Sequence, residues 1–422
     1  MVKPFKPIRF SLGPTSIVEM LFEKRLVALI YFNGDENHHN TPHQKLSLVI
    51  LNIFYRNFHA IKMFEMARTF VEKNCGKPVA RKKSITQANA HDLLVFNERG
   101  IYCPKADVYI DAWKPVKRCI ITHGHADHSR YGHKLYLTHH TNIPIIKHRL
   151  GEIPVEGKDW GESFTINGVK FSLFPAGHII GSAQVRVEYK GQVWVYGGDY
   201  KLEDDGISKP WEPVKCHTFI TECTFGLPAF KWQPQQRVFE DINLWWNQNR
   251  QEGLTSVLFG YSLGKAQRLL KYLDGSIGTI YTHGAIENMT EVLRSIVDLP
   301  PTERITKDTK KADLIGNIVL APPSAHGSTW MRKLVPYATA SASGWMTFRG
   351  ARRRRAIDKG FVLSDHCDWQ GLLECIERTE ASRIICTHGY SDIFSRYLTE
   401  IGYEASMENT EYASDEIEEE SS

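Results

Sequence analysis

The residues with the plainest chemical promise are His123, His125, Asp127 and His128, which with Gly124 and Ala126 read H-x-H-x-D-H. Two imidazoles two residues apart can share one metal ion, while the carboxylate and the third imidazole can serve a second. The string follows Arg118-Cys119-Ile120-Ile121, an apolar run that reads as a buried strand. Alone it could be a polar surface loop, so its meaning depends on what else the chain can bring to it.

Four further segments repeat the grammar of an apolar, strand-like run followed by a ligand-type residue in a tight loop. Val169 to Phe174 precedes His178, Val193 to Gly198 precedes Asp199, Phe361 to Leu363 precedes His366, and Arg383 to Cys386 precedes His388. Strands of a sheet sandwich that end on one edge would gather these residues around one pocket. His123, His125 and His178 then complete one site, Asp127, His128 and His388 a second, and Asp199 bridges both. Carboxylate oxygen and imidazole nitrogen without thiolate suit two divalent ions, Zn2+ first and Mn2+ as the alternative. Two such ions about 3.5–4 Å apart activate water near neutral pH and clamp a phosphoryl oxygen during in-line attack. The expected reaction is hydrolysis, and the expected bond a phosphodiester.

From Leu94 to Glu400 the sequence resembles the nucleases of metallo-β-lactamase fold with a β-CASP insertion, which act in RNA 3′-end processing, RNA decay and DNA repair. The resemblance implies an α/β fold, an αββα sandwich with an inserted β-CASP α/β domain. Its motifs match at Asp111 after Val108-Tyr109-Ile110, at the His123 to His128 cluster, and at His178 and Asp199. Its three β-CASP positions match Glu222 in Thr221-Glu222-Cys223-Thr224, His366 in Leu363-Ser364-Asp365-His366, and His388 in Thr387-His388-Gly389. In that family the second β-CASP residue protonates the leaving oxygen and the acidic one orients its imidazole, which implies those roles for His366 and Glu222. General acid help of this kind is worth about 10²–10⁴-fold. Asp111 fits a residue behind the ligands, because ligating imidazoles normally donate their other N–H to such a partner. It also reads as an ordinary strand-ending turn residue.

Thr224 to Pro228, Gly260 to Gln267 and Ser343 to Met346 are similar, more narrowly, to the bacterial ligase-associated DNA exonucleases. That likeness implies DNA as substrate, repair as setting, and an ATP-dependent DNA ligase and a helicase as partners. His at the last β-CASP position goes with RNA-processing members of the family, so His388 keeps an RNA-processing ribonuclease as the alternative. A thioesterase or lactonase on the same fold would share the cluster but need neither the insertion nor His366.

The formal charge is +4, and the stretch after Gly402 holds eight acids without Lys or Arg, which leaves +12 on the rest. A basic body favours phosphate backbones through counterion release. Arg349, Arg352 and Arg353, with Arg354 and Arg355, could grip a strand beside His366 or form a solvated turn. Ser262 and Lys265 flank the start of an amphipathic run, Ala266 to Leu273. The turn could receive a phosphate on its backbone N–H groups, and a plain helix start would read the same way. No Walker loop is present.

A length of 422 residues allows two or three domains. Residues 1–85 form an N-terminal extension of unknown role, 86–237 and 344–402 the two parts of the body, 238–343 the insertion, and 403–422 an acidic disordered tail. Strand-like Ser256 to Phe259, Gly278 to Tyr281 and Asn317 to Leu320 alternate with helical patterns, which predicts a parallel sheet. Thr41 to Asn74 has one Pro, no Gly and apolar residues at helical spacing, and predicts a long amphipathic helix. It could be an accessory helix, a partner-binding segment, or translated sequence ahead of a start at Met63 or Met66. Its apolar stretches fall short of the ~20 residues of a membrane span, and no signal-peptide pattern is visible. Eight Cys without C-x-x-C spacing exclude a zinc ribbon and suggest a reducing cytoplasm.

Overall fold

The computed structural model describes residues 92–354 and 356–412, together with four strands nearer the N-terminus. The chain divides into two compact units, 1–87 and 88–422. In the first unit, strands Ile8–Gly13, Ser16–Glu23, Leu26–Asn33 and Lys45–Asn52 form an antiparallel sheet in chain order. The last of them corrects the long helix expected over 41–74. Leu46, Leu48 and Ile50 recur with period 2 beside β-branched Val49, and this run pairs with Leu26–Asn33. The remainder of that segment, with Met63 and Met66, lies outside the described residues.

The second unit carries three sheets. Strands Val95–Asn97, Gly100–Cys103, Val108–Ile110, Cys119–Ile120, Tyr136–His139 and Val155–Lys158 lie side by side in the first, antiparallel at the start and parallel from Val108–Ile110 onward. The second begins with the antiparallel strands Phe164–Ile166, Val169–Pro175, Ala183–Tyr189 and Gln192–Tyr196. It continues through the parallel strands Thr218–Cys223, Arg383–Gly389 and Glu404–Met407.

These two sheets pack face to face. Ile101, Val108, Ile110, Ile120 and Leu137 of the first share one core with Phe171, Leu173, Val185, Val187, Tyr196 and Ile385 of the second. Burial of each such side chain contributes roughly 1.5–3 kcal/mol. The outer face of the second sheet is covered by helices Trp369–Thr379 and Ser391–Glu400 through Leu372, Ile376, Phe394 and Leu398. That of the first receives Ile146 of helix Ile143–Leu150. The layers are therefore helix, sheet, sheet and helix, and the loops that carry the His123 to His128 cluster, His178 and Asp199 leave the sandwich at the ends of strands Cys119–Ile120, Val169–Pro175 and Gln192–Tyr196.

Between Thr218–Cys223 and Arg383–Gly389, neighbours in the second sheet, the chain makes an excursion into the third sheet. Its order is Glu303–Arg304, Ile280–Thr282, Ile318–Ala321, Thr255–Phe259, Tyr337–Ala342 and Lys359–Phe361, with every pairing parallel. The sheet does not end at Ser343, because Lys359–Phe361 pairs with Ala340–Ala342 and extends this layer to Phe361. Likewise the acidic tail expected from 403 starts with a strand, since Glu404–Met407 adds to the second sheet edge. The eight acids hid that short edge strand, where an exposed charge such as Glu404 is tolerated. Residues 413–422 lie outside the described residues. Among the described residues no helix is long and apolar enough to cross a membrane.

Candidate metal centre

The cluster loop follows strand Cys119–Ile120 and is tightly held. Arg149 donates from Nη1 to Gly124 O at 2.7 Å and to Ser129 Oγ at 2.5 Å. Glycine fits at position 124 because a Cβ there would lie 2.5 Å from Ile145 Cγ2 and force that side chain to shift. Asp111 ends strand Val108–Ile110 with φ of 43° and is fully buried. Its carboxylate accepts Thr122 N–H at 2.8 Å, the Thr122 hydroxyl at 2.5 Å and His128 Nδ1–H at 2.8 Å.

These contacts assign the imidazole tautomers. The Thr122 hydroxyl proton is committed to Asp111, so His123 Nδ1–H donates to Thr122 Oγ1 at 3.0 Å and its Nε2 carries the lone pair. His128 likewise donates Nδ1–H to Asp111, and His178 donates Nδ1–H to Asp365 O at 2.8 Å. His125 donates Nε2–H to Leu263 O at 3.2 Å. Four rings thus spend one N–H on an oxygen acceptor and turn the other nitrogen into a common space, the arrangement that orients metal-binding histidines.

The lone pairs converge. His125 Nδ1 lies 3.1 Å from both His123 Nε2 and His178 Nε2. That spacing is close to the roughly 3.3 Å between two nitrogens bound at ~2.0 Å to one tetrahedral zinc. Asp199 Oδ2 stands 3.5 Å from His123 Nε2, 3.4 Å from His128 Nε2 and 3.9 Å from His178 Nε2. His123, His125, His178 and Asp199 form one group of donors within 4.8 Å of one another, and Asp199, Glu222 and His388 form another. Asp127 Oδ2 is 3.5 Å from His128 Nε2.

Two buried polar atoms, His128 Nε2 and Asp199 Oδ1, have no hydrogen-bond partner among the described residues, a costly arrangement unless a cation satisfies them. Burial, together with neighbouring imidazoles, holds the protonation of His123 and His178 well below the usual histidine range. Burial also opposes charge on His128, but Asp127, Asp199 and Asp111 outweigh it and push its pKa up to about 10. The carboxylates of this pocket therefore call for positive charge, which divalent ions would supply, and the donor set fits them.

His366 and Glu222 form a dyad at one side of these donors. His366 Nδ1 lies 2.9 and 2.7 Å from the two Glu222 oxygens, which also accept Tyr200 N–H at 2.9 Å and the Thr224 hydroxyl at 2.6 Å. Burial raises the Glu222 pKa, yet the His366 charge and hydrogen bond prevail and hold it below the usual range. His388 approaches the same network, with Nε2 3.1 Å from Thr224 Oγ1. The ring of His366 is 4.5 Å from that of His178. Both face a cleft also lined by His125, Tyr261, Ser343 and Ser364, between the sandwich and the third sheet.

The residues expected at a nucleic-acid strand do not stay together. Lys265 is buried, donating from Nζ to Leu363 O at 2.8 Å and pairing with Asp365 Oδ2 at 2.9 Å. The reason is that helix Lys265–Tyr272 packs its first turn on the His366 loop, where Arg268 also meets Asp365 at 3.1 Å. Ser262 is half-buried, whereas Arg349 and Arg353 are exposed on helix Arg349–Arg354. The side chain of Arg352 and all of Arg355 lie outside the described residues. Reading the sequence missed Thr122, Thr224 and Tyr412. The hydroxyls had only their adjacency to motif residues as a signal, and Tyr412 had none.

No protein-family model matches the chain. The chain is 32% identical over 311 residues to "Probable DNA ligase" of Opitutus terrae, a match over 72% of this chain and 30% of that protein. It is 30% identical over 123 residues to "Endoribonuclease ysh-1" of Neurospora crassa and 32% identical over 126 residues to "Endoribonuclease YSH1" of Yarrowia lipolytica. Each of these matches covers 28% of this chain and 14% of the relative. The chain thus spans less than a third of the length of these curated relatives. A solved structure of a protein of unknown function from Enterococcus faecalis aligns with a TM-score of 0.49 at 12% identity, covering 70% of this chain and 79% of that one. Similarity to nucleases and a convergent set of His and Asp donors are thus the two properties from which a function can be argued.

Proposed function

We propose that the chain is a metal-dependent nuclease of metallo-β-lactamase fold with a β-CASP insertion, hydrolysing DNA as an exonuclease in repair. The observation that carries this reading is the set of four imidazoles that each donate one N–H to an oxygen and turn the other nitrogen into the space beside Asp199. His123, His125, His178 and Asp199 would hold one divalent ion and His128, Asp127, His388 and Asp199 a second, zinc first. Bound there, the ions supply an activated water and neutralise phosphoryl charge.

The chain's own residues do the rest. Asp111 and Thr122 fix the ligand rings, so little reorganisation accompanies the reaction. Glu222 keeps His366 oriented with its Nδ1–H engaged, and proton delivery to the departing oxygen falls to Nε2 as the P–O bond breaks. The layered sandwich and the all-parallel third sheet support the fold assignment, and the cleft between them is the entry for a strand.

DNA is favoured because the similarity to "Probable DNA ligase" extends over 72% of this chain, against 28% for the endoribonucleases. The same similarity supports work beside a DNA ligase, and the bacterial exonuclease resemblance adds a helicase. RNA cleavage is the second reading, favoured by His388 and the endoribonuclease similarity. Single-stranded DNA and RNA of matched sequence, labelled separately at each end, decide between them, with Asp199→Ala as the contamination control. Shortening of DNA that is lost in the variant supports the proposal, and preferential RNA cleavage moves it to the second reading. No cleavage of either refutes both.

A further inference from the structure

We infer that Tyr412 is a positioning residue for the His128 half of the metal centre, which makes the segment after Gly402 part of the site. The inference rests on the metal-centre reading above. Tyr412 is 8% exposed, and its ring is stacked on the His128 imidazole with centroids 4.2 Å apart and planes within 16°. Its hydroxyl donates to the backbone oxygen of Asp111 at 3.1 Å, the residue whose carboxylate takes His128 Nδ1–H. One side chain therefore fixes both the face of this ring and the loop that orients its proton. The edge of Trp113 meets Tyr412 at 5.6 Å, and His388 meets it at 6.0 Å.

The way the chain reaches this point is also built. Strand Glu404–Met407 pairs with Arg383–Gly389, and Glu408 N–H continues the pairing to Cys386 O at 3.0 Å. Arg130, two residues past His128, donates from Nη2 to Glu411 O at 2.9 Å. The C-terminal segment is thus tethered on one side to the strand that leads to His388 and on the other to the cluster loop.

The test uses the full chain as wild type, Tyr412→Phe, Tyr412→Leu and Arg130→Ala. Each is loaded with zinc and dialysed against a chelator of moderate strength, after which bound zinc is counted and thermal unfolding followed. Wild type and Tyr412→Phe, which keeps the stack, should retain two ions per chain. Tyr412→Leu should retain one and bind the second 10–100-fold more weakly, the usual effect of losing a partner behind a ligand. Arg130→Ala should weaken the same ion without opening the core. A Tyr412→Leu protein that keeps two ions as firmly as wild type overturns the inference. If that variant does not fold, Arg130→Ala with wild-type zinc retention overturns it instead. Wild type that holds no zinc refutes the metal-centre reading itself.

Discussion

Replacing Glu222 by Gln removes one charge while keeping the shape of the side chain, and its consequence can be worked from the contacts. Glu222 and His366 are 1% and 4% exposed, so water does not take over the lost interaction. The bond between them, 2.7 Å at its shorter arm, joins a carboxylate to an imidazole, and a hydrogen bond to a charged group is worth about 1.5–3 kcal/mol. At 1.36 kcal/mol per decade, kcat should fall roughly 10–100-fold. Removing the imidazole with His366→Ala should cost more, about 10²–10⁴-fold. The two groups act as one device, so the double variant should be no slower than His366→Ala alone. The assay is cleavage of an end-labelled strand beside hydrolysis of a p-nitrophenyl phosphodiester, whose leaving group needs little protonation. Both defects should shrink on the activated ester. Fully additive losses, or equal losses on both substrates, would refute the assignment of the dyad to leaving-group protonation.

Three other outcomes follow from the same geometry. Gly264→Ala should destabilise the second unit by roughly 1–3 kcal/mol, because φ is 88° and the added Cβ would sit 2.3 Å from Ile179 Cγ2; a wild-type thermal unfolding midpoint would contradict this. His133 has its pKa lowered to about 4 by burial, and its Nδ1 accepts Val116 N–H at 3.3 Å. The unfolded chain takes up this proton near pH 6.5 and the native chain only near 4, so stability falls as pH drops through that window. After discounting for solvent screening the loss is roughly 1–2 kcal/mol, and His133→Asn should flatten the slope of denaturant-derived stability against pH. Chelation should abolish hydrolysis and lower the unfolding midpoint, since an ion at about 100 times its Kd stabilises by ~2.7 kcal/mol; identical curves with and without chelator would contradict it.

The gathering of the candidate ligands was legible because they sit in or beside short loops after apolar runs. His178, Asp199 and His366 each follow a strand whose alternating or continuous apolar pattern marks it, His388 lies at the end of strand Arg383–Gly389, and the parallel third sheet followed from its strand and helix alternation. What escaped was either charged or unpatterned. Lys265 was expected at a nucleic-acid strand, yet with Lys201, Arg268 and Asp365 it is buried in one ion network under the His366 loop. Burial of a charge is set by partners distant in sequence, which no local pattern encodes. Tyr412 escaped for the same reason, since acidic neighbours suggested disorder while its partners Asp111 and His128 lie far up the chain. The strand Lys45–Asn52 was hidden because a short apolar run satisfies both helical and strand periods, and pairing decides between them.

The converging imidazoles and carboxylates are proposed to hold two metal ions at the cleft. Anomalous diffraction at the zinc edge from crystals of the loaded protein tests it most directly. Two peaks about 3.5–4 Å apart are expected, one among His123, His125, His178 and Asp199, the other beside His128 and Asp199 toward His388. Crystals of zinc-loaded protein with no peak among these residues, or with zinc bound only elsewhere, would contradict it.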